Sequence, residues 1–295
     1  AFIMIIGAVI TLAFFKIKQP LIIGYLFAGM LLGPLSPLWS WLLPEDPFND
    51  VLSGVGILSD VSALNLFAEI GVILLLFVIG IEFPYAKIKS IGRVAIGVGT
   101  LGLFSTLGVL FYTATALGLQ FMDALFIAAA LSISSTAIIV KLLEDMGKIK
   151  KESSILVLGV LIVEDVIAVI LISSLQSIAL VGTISVESIV VVILVAVGLI
   201  VGTFTIGIRV IPPLIDRVAS AEHREILLLS VLGLCFGYAL LANIVGLSVA
   251  IGAFLAGVLV ADSKSAEVAK LLSSPIKDMF VAIFFISVGA LMDVS

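Results

Sequence analysis

The sequence predicts an all-α polytopic membrane protein, and three observations carry that expectation. Hydrophobic residues make up 62% of the 295 and charged residues only 12%, about half of the roughly 25% found in soluble domains, so lipid must cover most of the surface. The mean hydropathy is +1.39. All 15 Lys and Arg residues fall in every second connection between ten apolar runs. Cytoplasmic connections carry the excess of Lys and Arg. The odd-numbered connections are therefore placed in the cytoplasm and the N-terminus outside, as in a multi-pass protein of the cell membrane.

The ten spans follow in order. Segment one is 1–15, opening on Ala1 without an initiating Met, and is read as a trimmed native span. Lys16 and Lys18 form the first connection, and segment two is 20–33. The long outer connection 34–61 carries four prolines with Trp39 and Trp41, which suggests an ordered loop with Trp at the headgroup level. Segment three is 62–82 and segment four 92–119, joined by the connection with Lys87, Lys89 and Arg93. Segment five is 122–142, ending on Lys141, which is expected to snorkel. Lys148, Lys150 and Lys151 lead into segment six, 153–181. Segment seven is 187–211, eight 224–243, nine 246–261 and ten 276–292. Segments two and nine are short for a bilayer that takes about 20 apolar residues. His223, beside Arg224, reads as a solvated interfacial residue, and Asn243 as a cap. Cys235 is the single cysteine, so disulfides are not part of the fold.

The chain repeats itself. Ile23-Gly24-Tyr25-Leu26-Phe27-Ala28-Gly29 in segment two is matched by Ile251-Gly252-Ala253-Phe254-Leu255-Ala256-Gly257 in segment nine. The span after each also ends alike, with Phe77 to Gly80 and Glu82 in one and Phe285 to Gly289 with Asp293 in the other. The two copies lie seven spans apart, so they run in opposite directions across the membrane. Inverted repeats are the architecture of secondary transporters, with sites near mid-membrane at broken helices. If the first unit is segments two to six, the second is nine to thirteen, and three spans are expected beyond Ser295.

Function must rest on the polar groups inside the spans. Glu164 and Asp165 lie in segment six, Asp165 about 18 Å along the helix from Ser153 at about 1.5 Å per residue, close to mid-bilayer. Each ionised acid there costs roughly 2.5–3.5 kcal/mol, and neither has a basic residue on its own helix. Two close carboxylates in low dielectric titrate as a coupled pair, and cation and proton binding both follow from such a pair. Segment five carries Ser132, Ser134, Ser135 and Thr136 within five residues. Hydroxyls in that density can replace intrahelical bonds and let a helix open at mid-depth, exposing oxygen ligands for a hard cation. Glu69, in segment three, is a further intramembrane acid, read either as an entrance residue or as a structural acid bonded to a neighbouring helix.

These residues also match a family. Phe67-Ala68-Glu69-Ile70-Gly71, Phe77 to Glu82, Ser134-Ser135-Thr136-Ala137, Val245 to Gly257, and Phe284-Phe285-Ile286-Ser287-Val288-Gly289 resemble the signatures of Kef-type monovalent cation:proton antiporters over essentially the whole chain. The resemblance implies the sodium/proton antiporter fold, with about thirteen spans of which ten are present here, and a homodimer. It implies dimer-panel helices at 1–82 and 224–292, a moving core at 92–181 completed beyond 295, and a linker helix at 187–211. It further implies that the break in segment five (Ser134, Ser135, Thr136, with Ser132 and Glu69 as accessory positions) and the acids Glu164 and Asp165 bind Na+ or K+ in exchange for H+. Kef members usually carry Gln-Asp where this chain has Glu164-Asp165, while sodium-selective relatives often carry Asp-Asp, so both ions remain open. A regulatory domain beyond the chain is also expected of such a protein.

Other classes are weighed against this one. A cation channel could use the same acids, and would give flux without proton coupling. A sodium-coupled organic-anion symporter can share the inverted-repeat layout. An intramembrane aspartyl protease needs acids on separate spans, whereas Glu164 and Asp165 share one. No Walker loop, metal cluster or nucleophile–His–acid set is present, so neither an enzyme nor a cofactor is expected. The net charge of −5 comes with no basic surface for nucleic acid.

Overall fold

The computed structural model describes residues 2–33, 61–83, 85–181, 186–221 and 223–292. Among them every regular element is helical: α1 (Phe2–Lys16), α2 (Leu21–Leu32), α3 (Val61–Ile81), α4 (Tyr85–Ala116), α5 (Phe121–Ser132), α6 (Thr136–Asp145), α7 (Glu152–Val181), α8 (Val186–Gly202), a π turn (Thr203–Gly207), α9 (Ile208–Ala219), α10 (Arg224–Ile244), α11 (Val249–Ala261) and α12 (Ala266–Ala290). Among the described residues five helical stretches are long and apolar enough to cross a membrane: Gly92–Ala116, Phe121–Asp145, Ile193–Ala219, Arg224–Ile244 and Ala266–Ala290. Ile3–Lys16, Leu21–Leu32, Leu66–Ile81 and Val249–Ala261 are shorter apolar helices. Large apolar side chains such as Val9, Leu101, Leu194 and Leu229 face outwards, as lipid-exposed surfaces require. The chain is a polytopic α-helical membrane protein. Residues 34–60 of the Trp- and Pro-containing connection expected at 34–61, and Asp293, lie outside the described residues.

Burial separates the inner helices from the outer ones. α11 is buried at every position from Ala250 to Val260, and α3 is buried from Ile73 to Ile79. A helix that is apolar all round belongs inside a bundle. One face of α3 packs Leu75, Leu76 and Ile79 against Val258 of α11 and Phe285 of α12. The opposite face packs Leu74, Phe77 and Val78 against Val231, Cys235 and Ala239 of α10.

Glycines set the spacing in this part of the bundle. A Cβ on Gly29 would strike the carbonyl of Ile286 and the Cα of Gly289, and one on Gly289 would strike the carbonyl of Leu26. Gly80 and Gly257 stand in the same relation: a Cβ on either would strike the backbone of the other's helix, at Phe254 and Phe77. Gly24 lies on Thr11 and Phe14 of α1, and Gly252 on Tyr238, Ala239 and Ala242 of α10. Small residues that let backbones touch are the usual means of helix association in lipid, where apolar side chains gain little by leaving the solvent.

α1, α2, α3, α10, α11 and α12 thus form one interleaved panel. α4 packs chiefly on α5 and α7, and α6 is the main bridge from that layer to the panel, through α2 and α3.

Several boundaries depart from the sequence expectation, three of them with a structural consequence. The tenth span begins at Ala266 rather than 276, running through Pro275. Asp216 of α9 explains the early start: Ser265 donates to its Oδ1 from the backbone N–H at 3.1 Å and from the hydroxyl at 3.0 Å. A carboxylate held at a helix N-terminus satisfies donors that the helix itself cannot. The seventh span continues through the π turn into α9, which holds Pro212 and Pro213. The eighth runs one residue past Asn243, and the chain turns at Gly246 with φ of 83°.

Candidate functional site

The hydroxyl-rich stretch interrupts its helix. α5 stops at Ser132, Ile133 (φ −86°, ψ 123°) and Ser135 (φ −80°, ψ 97°) are extended, and α6 starts at Thr136. Two helix ends therefore meet inside one apolar span. The last carbonyls of α5 and the first amides of α6 lose their intrahelical partners there. Ser132 answers part of this locally, its Oγ donating to the carbonyl of Ala129 at 2.9 Å. It serves the end of its own helix and not an acid.

Asp165 stands opposite the start of α6. The hydroxyl of Thr136 lies 3.3 Å from both Asp165 carboxylate oxygens. These contacts are long for an O–H···O bond, and one hydroxyl proton can serve only one oxygen at a time. The positive end of the α6 dipole acts on the same carboxylate. Among the four hydroxyl residues, Thr136 alone is bonded to Asp165. Ser134 is half-buried in the unwound stretch and Ser135 is exposed.

Glu164 is differently placed. It is 8% exposed, and its Oε2 is buried with no hydrogen-bond partner among the described residues. Successive residues on a helix point about 100° apart, so the two acids meet different surroundings, Asp165 partly open towards the break and Glu164 enclosed. A carboxylate oxygen buried without a donor is costly unless it takes a proton or a cation. Together the pair places two oxygens at the break and one enclosed oxygen on the same helix.

Glu69 is exposed on α3. Lys141 does not snorkel. It is 7% exposed because its Nζ is held 3.0 Å from both Glu144 Oε2 and Asp145 Oδ1. Their i,i+3 and i,i+4 spacing was readable in the sequence as a pairing signal. Lys277 of α12, only 4% exposed, pairs with Glu144 Oε1 across the two layers, a partnership no local pattern announces. An apolar cavity of about 140 Å³ is lined by residues including Ala95, Leu158, Ile162, Phe204 and Phe254.

Fold and site together define a helical membrane protein with an acid, Asp165, at a helix break inside an apolar span. Comparison with known proteins makes the class specific. The family profile described as sodium/hydrogen exchanger, transmembrane, matches residues 1–295, and the chain belongs to that family. It is 28% identical over 278 residues to the iron transporter MagA of Paramagnetospirillum magneticum, covering 94% of this chain and 59% of MagA. It is 30% identical over 273 residues to the glutathione-regulated potassium-efflux system protein KefC of Escherichia coli K12, covering 92% of this chain and 41% of KefC. KefC of Shigella flexneri matches equally well. The chain thus spans about three fifths or less of the length of these curated relatives.

Proposed function

We propose that the chain belongs to a secondary active transporter that exchanges a monovalent cation, Na+ or K+, for protons by alternating access. The observation that carries this reading is the Asp165 carboxylate at mid-span, facing the interrupted helix through Thr136. Asp165 is the principal carrier in this reading. Thr136, Ser134 and the freed backbone of the break supply neutral oxygen ligands, and Glu164 tunes the site. Protonation neutralises the ligand that holds the cation, and a bound cation disfavours the proton, so the two compete for one place. A bare carboxylate is costly against apolar walls, which favours movement of the core only when the site is occupied.

Inverted repeats are a common architecture for alternating access, and the glycine contacts support one here. If Gly29 corresponds to Gly257 and Gly289 to Gly80, the contact Gly29–Gly289 maps onto Gly257–Gly80. The match extends to α1 and α10: Gly24 on Thr11 and Phe14 has the same sequence spacing as Gly252 on Ala239 and Ala242. The same register pairs Gly71 with Phe280, and these two touch, as mates beside a two-fold axis must. The sequence motif had suggested a repeat beginning only at segment two. In this reading the interleaved panel is the dimer-forming part of a homodimer, α4–α7 belong to the moving core, α8 and α9 link them, and the ten spans place the N-terminus outside.

The names of the relatives point to potassium for KefC and iron for MagA. The oxygen donors at the break suit a hard cation. The deciding experiment is proton flux from the reconstituted full-length protein, driven in turn by Na+ and by K+. Cation flux without proton movement would make the protein a channel, and no response to either ion would remove the proposal.

A further inference from the structure

We propose that Lys277 and Glu144 form a reversible latch that pins the site-bearing half-helix α6 to the panel and closes the site at the basic end of the bundle. The proposal rests on the reading of Asp165 as the transport site. α6 is ten residues long, about 15 Å at the helical rise. Its first residue, Thr136, holds Asp165, and its last turn carries Lys141, Glu144 and Asp145. Of the ion pairs around that turn, Lys141–Glu144 and Lys141–Asp145 lie within α6, and Lys277–Asp278 lies within α12. Only Lys277–Glu144 crosses between the layers. Any displacement of α6 against α12 leaves the internal pairs intact and must part this one.

The arrangement makes parting inexpensive. Breaking a buried ion pair is costly when it strands an unpaired charge. Here Glu144 keeps Lys141 at 3.0 Å and Lys277 keeps Asp278 at 3.1 Å, so each charge retains a partner on its own helix. A merely structural staple has no such reserve: Lys270 and Glu82 tie α12 to the end of α3 inside the panel, and neither has a second ionic partner among the described residues. Beside the latch lies a cavity of about 410 Å³ lined by Tyr25, Lys141, Glu144, Asp145, Asp278 and Val281, among others. It is placed to widen into a water-filled vestibule when α6 moves away.

The test uses the full-length protein in liposomes. A cysteine is placed at Val281, which is 1% exposed, and its modification by a membrane-impermeant thiol reagent is timed against the same protein without it; Cys235, the single cysteine of these 295 residues, is 0% exposed. Lys277→Gln should speed labelling roughly fivefold or more, the range of a modest conformational coupling. Lys277→Arg, which keeps the charge that crosses between the layers and the pair with Asp278, should label at the parental rate. Equal labelling of Lys277→Gln and parent would overturn the latch. So would a Lys277→Arg protein that labels as fast as Lys277→Gln. Labelling needs no transport, so a protein that moves no cation against protons would remove the proposed function while leaving the latch to be judged on this measurement.

Discussion

Replacing Gly257 by Ala should destabilise the bundle even though alanine is the better helix former. A Cβ at Gly257 meets the carbonyl oxygen of Phe77 and lies 2.8 Å from the Cα of Gly80. Both are backbone atoms of α3 that cannot swing aside, so α3 and α11 must separate. Overpacking of that kind costs about 1–3 kcal/mol. Gly237, one helix away on α10, has nothing within 4 Å of its added Cβ. There the same substitution should recover the roughly 0.5–1 kcal/mol that glycine costs inside a helix. Scaled as for folded domains of comparable size, Gly257→Ala should melt roughly 4 °C below the parent and Gly237→Ala roughly 1–2 °C above it. The assay is thermal unfolding in detergent, followed by loss of the monodisperse peak in size-exclusion chromatography. A Cβ on Gly29 meets the backbone of α12 as closely, 2.8 Å from the Cα of Gly289, so Gly29→Ala should fall by a similar amount. A Gly257→Ala protein that melts at or above the parental temperature would refute the close approach of these helices.

Four predictions concern the site. Asp165→Asn should abolish cation-driven proton flux in liposomes while the protein still inserts; near-normal exchange would exclude Asp165 as carrier. Glu164→Gln should alter the pH profile or the Na+/K+ preference more than it lowers expression, and unchanged values of both would confine Glu164 to a structural part. Thr136→Val removes a bond to a charged acceptor, ordinarily worth about 1.5–3 kcal/mol. At 3.3 Å the loss should be nearer 1 kcal/mol, about fivefold in apparent cation affinity, with Thr136→Ser retaining most of it; equal affinities in the two variants would show that the hydroxyl does not act on Asp165. Because protons neutralise the cation's ligands, apparent cation affinity should weaken as pH falls, and a half-saturation concentration constant over a pH series would mean separate sites.

What could be read from the sequence was what depends on neighbours along the chain. The apolar runs gave the helices, and the crowd of hydroxyls at Ser132–Thr136 gave the interruption, because both are local competitions for backbone hydrogen bonds. The Gly29 and Gly257 motifs gave two points where helices touch. The rest depends on partners far along the chain. Which hydroxyl meets Asp165 is decided by how α6 lies on α7, and it is Thr136. The start of α12 at Ala266 depends on Asp216 arriving from α9. The match of Thr11 with Ala239 was invisible because such a contact needs its glycine and tolerates different residues opposite. The burial of Lys141 was half legible: its partners three and four residues on are in plain sight, but the panel that encloses them is not.

The π turn at Thr203–Gly207 sets the phase of everything that follows it. Such a turn accommodates one residue more than an α-helix of the same rise, and each residue turns the helix by about 100°. An α-helical path through the same stretch would therefore rotate the whole of α9 by roughly a quarter turn. Asp216 would then point away from Ser265, and the first turn of α12 would lose its carboxylate. The turn thus acts as an indexing step, which lets one continuous rod present one face before it to the bundle and a differently clocked face beyond it to the helix it caps.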